Sequence, residues 1–165
     1  MSGPASRGMA PAHTDPYQFG TSMNGQSFIL DDRAQALANY PHARRMGDFI
    51  FVSGVSSRRF DNTHAGVTKH PDGSVELDIR EQTRAVIENI RVILRAAGAD
   101  LANVVDILVM LVDMKDYAGM NEVYNEYFDA VSGPTRTTCA VHQLPHSNLL
   151  IEMKVVAAAA PLDED

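Results

Sequence analysis

The sequence predicts an α+β domain with two helices on one face of a mixed sheet. Three observations carry that expectation. Two stretches repeat apolar residues at helical spacing, short β-branched runs are separated by turn formers, and the order runs strands, helix, strand, helix, strand, strand. Two helices in one layer cover a single face of such a sheet, and association with further copies is the simplest cover for the other. At 165 residues the chain is expected to form one domain with a sizeable core.

Residues 1–39 read as an N-terminal extension. Up to about residue 25 it is rich in Gly, Pro, Ser and Ala, a composition that buries too little surface to offset its ordering entropy. It is expected to be a mobile tail or an arm packed on a neighbouring subunit. Residues 42–46 and 49–53 flank Gly47-Asp48, a hairpin signal. Residues 56–77 carry Asp61-Asn62 and Pro71-Asp72-Gly73 and read as an irregular excursion with a small hairpin. Asp78 stands three before Glu81, a capping-box-like start; Val86, Ile90, Ile93 and Ala97 follow at helical spacing, and Gly98 stops the helix.

Residues 104–112 form a β-branched apolar run, read as a buried strand. A second amphipathic helix is expected over 116–130, with Tyr117, Met120, Tyr124, Tyr127 and Phe128 on its apolar side and Gly133-Pro134 ending it. Strands over 137–143 and 149–158 close the domain, joined by a turn at Leu144-Pro145-His146-Ser147-Asn148. The domain thus spans 40–160, and 161–165 is a polar tail.

Formal net charge is −7, the wrong sign for a protein that binds a phosphate backbone, so nucleic acid is not the expected partner. A single cysteine, Cys139, allows no internal disulfide and fits a reducing cytoplasm. With neither a secretory signal nor an apolar run of membrane-spanning length, the expectation is a soluble cytoplasmic protein with no membrane partner.

Chemistry-bearing motifs are sparse. Among His42, His142 and His146, the one pair spaced by four residues straddles Leu144-Pro145, where no helix can present both rings on one face, so no metal site is expected. Neither a phosphate-binding glycine loop nor a nucleophile elbow is present, and Cys139 reads as a small core residue. What remains is a set of single residues: Ser53-Gly54 ending a strand, Asn121 in a helix, Arg136 after Gly-Pro-Thr, and Glu152 within an apolar strand. Taken one at a time, Arg136 is more often a surface charge and Glu152 the outward residue of an alternating strand.

Together these residues resemble the RidA/YjgF family. The resemblance rests on Tyr40, the run Gly47-Asp-Phe-Ile-Phe-Val-Ser53-Gly54, Gln82 through Gly98, Asp116 through Tyr124 with Phe128, and Gly133-Pro-Thr-Arg136-Thr-Thr. Leu144-Pro145 and Ile151-Glu152 complete it, so that it covers roughly residues 40–158. It implies a chorismate-mutase-like α+β fold, a homotrimer with pockets between subunits, and cofactor-free hydrolysis of enamines and imines to oxo acids and ammonia. By position, Arg136 matches the family's carboxylate-binding arginine and Glu152 its acidic residue near the reacting carbon. Tyr40, Ser53 and Asn121 match pocket-lining positions. A main-chain carbonyl holding the water, with Glu152 structural, is the alternative.

The chain departs from the family in three places. Thr138 stands where a cysteine is frequent, the excursion at 56–77 is longer and bears Arg58-Arg59, and the N-terminal extension is longer. These features resemble the branch of the family that acts on 2-aminomuconate, an enamine dicarboxylate of aromatic-ring catabolism. A second carboxylate needs a second cation; Arg58 or Arg59 is preferred over Arg44, Arg45 and Lys154, because the excursion leaves from Ser53-Gly54. Three other readings stay open: a broad-range 2-imino acid deaminase, a non-enzymatic RNA- or protein-binding member, and a ligand sensor without turnover.

Overall fold

The computed structural model describes residues 25–159. The expected tail or arm up to residue 24 and the polar terminus lie outside the described residues. Nine strands and two helices follow: β1 (Gln26–Phe28), β2 (Ala43–Met46), β3 (Phe49–Val52), β4 (Val55–Ser56), β5 (Val67–Lys69), β6 (Val75–Leu77), α1 (Ile79–Ala96), β7 (Val104–Leu111), α2 (Tyr117–Tyr127), β8 (Thr135–Ala140) and β9 (Ile151–Ala158).

The large sheet runs β1-β2-β3-β9-β7-β8, with β4 also on β9. Only β7 and β8 pair in parallel; the other pairings are antiparallel, so the sheet is mixed as expected. Both helices lie on one face. They bury Ile50, Val52, Ile107, Val109, Leu111, Ile151, Met153 and Val155 beneath Val86, Ile87, Ile90, Leu94 and Met120. Transfer of this apolar surface from water is the main driving force for the fold.

The expected hairpin forms with Gly47 at φ 56°, and β5-β6 is the small hairpin of the excursion. Strand β1, inside the segment read as an extension, pairs with β2 and was not anticipated, because Gln26–Phe28 is too short to show alternation. Helix α1 keeps its cap: the Asp78 carboxylate accepts from the Arg80 and Glu81 amides. The reciprocal half of a capping box is absent, since the Asp78 amide donates to Gly66 O instead of Glu81. Helix α2 ends at Tyr127 rather than at residue 130, where Phe128 turns to extended backbone. Strand β8 starts two residues earlier than expected because the β7 ladder captures Thr135 and Arg136. Cys139 is exposed on edge strand β8 rather than packed in the core as expected, because among the described residues β8 pairs only with β7 and leaves that side of the strand open.

The helix-free face carries Phe49 and Phe51, about half exposed, beside Leu108, Met110 and Val156. Among the described residues nothing covers it. No helix among them is long and apolar enough to cross a membrane.

Candidate active site

Paired residues on neighbouring strands project to the same face, and successive residues alternate. Arg136 pairs with Ile107, a core residue beneath the helices, whereas Glu152 pairs with Met110, three residues further along β7. Arg136 and Glu152 therefore project from opposite faces of one sheet. A single chain does not bring them together.

On the helix side, Arg136 is held in a fixed pose. Its Nη1 donates to Asn121 Oδ1 at 2.8 Å and its Nη2 to the Tyr117 hydroxyl at 3.2 Å. The guanidinium carbon lies 4.5 Å from the Tyr124 ring centroid, within cation–π range. Tyr117, Asn121 and Tyr124 fall at i, i+4 and i+7 on α2, so the helix pitch aligns them as a cradle. Sequence reading placed the two tyrosines with the apolar side; the signal for their role was the polar Asn121 between them. Asn121, Tyr124 and Arg136 border a small cavity of about 400 Å³.

A second and larger cavity, about 910 Å³, is lined by Tyr40, Ser53, Arg58, Arg59 and Glu152. Part of its wall is a bulge. From Phe51 to Val55 is four steps, while their β9 partners Val156 and Met153 are three apart, so one residue at Ser53-Gly54 is extra. A bulge of this kind re-aims the local backbone. Gly54 leaves room for the carboxylate: a Cβ at that position would lie 2.3 Å from Glu152 Oε1, so a side chain there displaces the Glu152 carboxylate from this pose. Glu152 is partly buried and has no hydrogen-bond partner among the described residues, and burial raises its pKa above the ordinary value. A carboxylate with a raised pKa and open lone pairs is suited to orienting or deprotonating water.

Ser53 acts on the wall. Its hydroxyl donates to Pro41 O at 2.7 Å and its amide to His42 O at 3.0 Å, which fixes the chain around Tyr40. The His42 ring is committed as well. Nδ1 accepts from the Leu30 amide at 3.2 Å, so Nε2 carries the proton and donates to Ala34 O at 3.1 Å. His64 and His146 also line the cavity, their rings tilted by 32° with centroids 4.5 Å apart. Burial first, then His146, Arg58 and Arg59, lower the His64 pKa, which favours its neutral form. No group of three or more candidate metal ligands occurs among the described residues.

Gln82 ties the site to α1. Fully buried, it donates to Asn148 O at 2.7 Å and accepts from the Leu150 amide at 2.9 Å, setting the loop that leads into Glu152.

The family described as Endoribonuclease L-PSP matches residues 31–159. A RutC family protein of Pyrococcus abyssi is 43% identical over 130 residues, covering 78% of this chain and 94% of that protein. The chloroplastic Reactive Intermediate Deaminase A of Arabidopsis thaliana is 35% identical over 74% of this chain and 59% of its own length. The Escherichia coli protein named "Putative reactive intermediate deaminase TdcF" is 32% identical over 74% of this chain and 88% of its own length. Among solved structures, the yeast YEO7 protein superposes with a TM-score of 0.71 at 31% identity, covering 82% of this chain and 99% of that one. E. coli TdcF with bound serine superposes with a TM-score of 0.67. The architecture is that of the reactive-intermediate-deaminase class. The chain belongs to the RidA/YjgF family.

Proposed function

We propose that this protein hydrolyses enamines and imines of 2-amino acids to 2-oxo acids and ammonia, in a site completed by a second copy of the chain, and that its substrate is 2-aminomuconate. The observation that carries the reading is the split of the two half-sites. Arg136 is locked in a cradle on one face, Glu152 is unpartnered in a cavity on the other, and neither half suffices for chemistry on a carboxylate-bearing imine. A head-to-tail ring apposes two different patches of the same chain, which is what a shared site needs. The half-exposed Phe49 and Phe51 on the helix-free face supply apolar surface for such a contact. The trimer is the oligomer this reading expects.

In the proposed reaction the enamine tautomerises to the 2-imine. Arg136 takes the C1 carboxylate with paired N–H donors and fixes the C1–C2 axis. Water, oriented by Glu152, adds to C2; the carbinolamine then loses its nitrogen as ammonia, and C2 becomes the carbonyl of 2-oxohex-3-enedioate. The imine is reactive in water, so positioning and one proton transfer are the enzyme's contribution. The named deaminases among its relatives support the reaction class. The dicarboxylate assignment is supported by a cavity whose lining, among the described residues, holds Arg33, Arg58 and Arg59 and one acidic residue, Glu152.

Ammonia release from freshly generated 2-aminomuconate tests this, with the enamine formed from serine as the comparison. Arg136→Ala is expected to lower kcat/KM by about ten- to a hundredfold, the worth of a charge-assisted contact. Unchanged kinetics would remove Arg136 from the site, and faster turnover of the serine-derived enamine would favour the broad-range deaminase.

A further inference from the structure

We infer that Arg33, on the segment joining β1 to β2, binds the distal carboxylate of a dicarboxylate substrate at the far side of the large cavity. The inference rests on the deaminase reading for the nature of the substrate. Its ground is local. Arg33 lines the cavity, and its Nε is buried with no hydrogen-bond partner among the described residues. Among the described residues its one ion pair is a 3.4 Å contact to the neighbouring Asp32, which is largely exposed. A buried guanidinium N–H without an acceptor is costly, and because the side chain is 37% exposed, a turn toward a carboxylate in the cavity gives that N–H the acceptor it lacks.

Arg58 and Arg59, favoured by sequence for this duty, are already engaged. Arg58 Nη2 donates to Gln35 O, and Arg59 Nη1 donates to His64 O at 3.0 Å. The Arg58 contact makes that side chain a staple between the excursion and the β1–β2 segment. Gln35 donates to Leu30 O at 2.9 Å and to Arg33 O at 2.8 Å, and His42 clamps Leu30 and Ala34, so the segment bearing Arg33 is internally braced. Arg33 is thereby presented on a fixed backbone, with Arg58 and Arg59 adding positive potential around it.

Matched six-carbon probes test the subsite by calorimetry: trans,trans-muconate with two carboxylates and sorbate, of the same alkene geometry, with one. The native protein is expected to bind muconate more tightly than sorbate. Arg33→Gln should reduce that preference about tenfold, and Arg33→Lys should recover part of it. Equal losses for both probes, or an unchanged preference, would overturn the assignment. The two readings separate cleanly. Arg33-dependent muconate binding without ammonia release from 2-aminomuconate supports the subsite and sinks the reaction. Ammonia release that keeps its dicarboxylate selectivity in Arg33→Gln supports the reaction and sinks the subsite.

Discussion

Glu152 shows how a residue's surroundings set both its activity and its cost. Partial burial raises its pKa above the ordinary 4.5, and no donor among the described residues offsets that loss of hydration. If it handles the attacking water, activity falls as pH drops through the raised value, and Glu152→Gln removes this acid limb while lowering kcat. A pH–rate profile that keeps the limb in Glu152→Gln would assign the limb to another group. The stability sign is opposite to that of a paired carboxylate. Below pH 4.5 the folded and unfolded forms are both protonated and Glu152 costs nothing. Above its raised native pKa the folded state holds a poorly solvated charge, and the penalty is complete. Glu152→Gln should therefore raise Tm at pH 7 and lose the gain near pH 4, as thermal denaturation at the two pH values will show.

At the scale of elements, the site depends on α1 more than the position of Arg136 and Glu152 suggests. Gln82 spends both ends of its amide on the loop entering β9. Replacing it with Met keeps the volume but leaves the part-buried Asn148 O and Leu150 amide without their partners, at about 1–3 kcal/mol in all. Urea denaturation of Gln82→Met should show a loss in that range, with impaired turnover because Glu152 begins at the end of that loop. Elements with strong local signals were legible in the chain: the α1 apolar spacing, the Gly47-Asp48 hairpin and the strand at 104–111 all form. Those decided by neighbours were not. Strand β1 exists because β2 offers it an edge, and β8 begins at Thr135 because β7 pairs with it there.

At the scale of the molecule, the proposed function makes the site a joint product of two copies of the chain. In a head-to-tail ring each complete site takes Arg136 from one subunit and Glu152 from the next. Arg136→Ala and Glu152→Gln, each impaired alone, should complement when refolded together, with about a quarter of the sites carrying both native residues after random assembly of equal amounts. Absence of recovery in a mixture shown to exchange subunits would place the whole site in one chain. Sedimentation of the native protein reports the expected trimer independently.

The sequence by itself determined the α+β order, the helix cap at Asp78, the family, and the residues Tyr40, Ser53, Asn121, Arg136 and Glu152 as the set to watch. Periodicity, caps and motif spacing are properties of neighbours along the chain, so they can be read there. Only the tertiary structure decided that Arg136 and Glu152 face away from each other, that Cys139 lies on an exposed edge, and that Tyr117 and Tyr124 cradle the arginine. It also singled out Arg33, which no motif marks, by leaving its Nε buried and unpartnered. The physical reason is common to all four. The face of a strand residue and the partners of a buried donor depend on strand register and on contacts far apart in sequence, and these exist only once the sheet has formed.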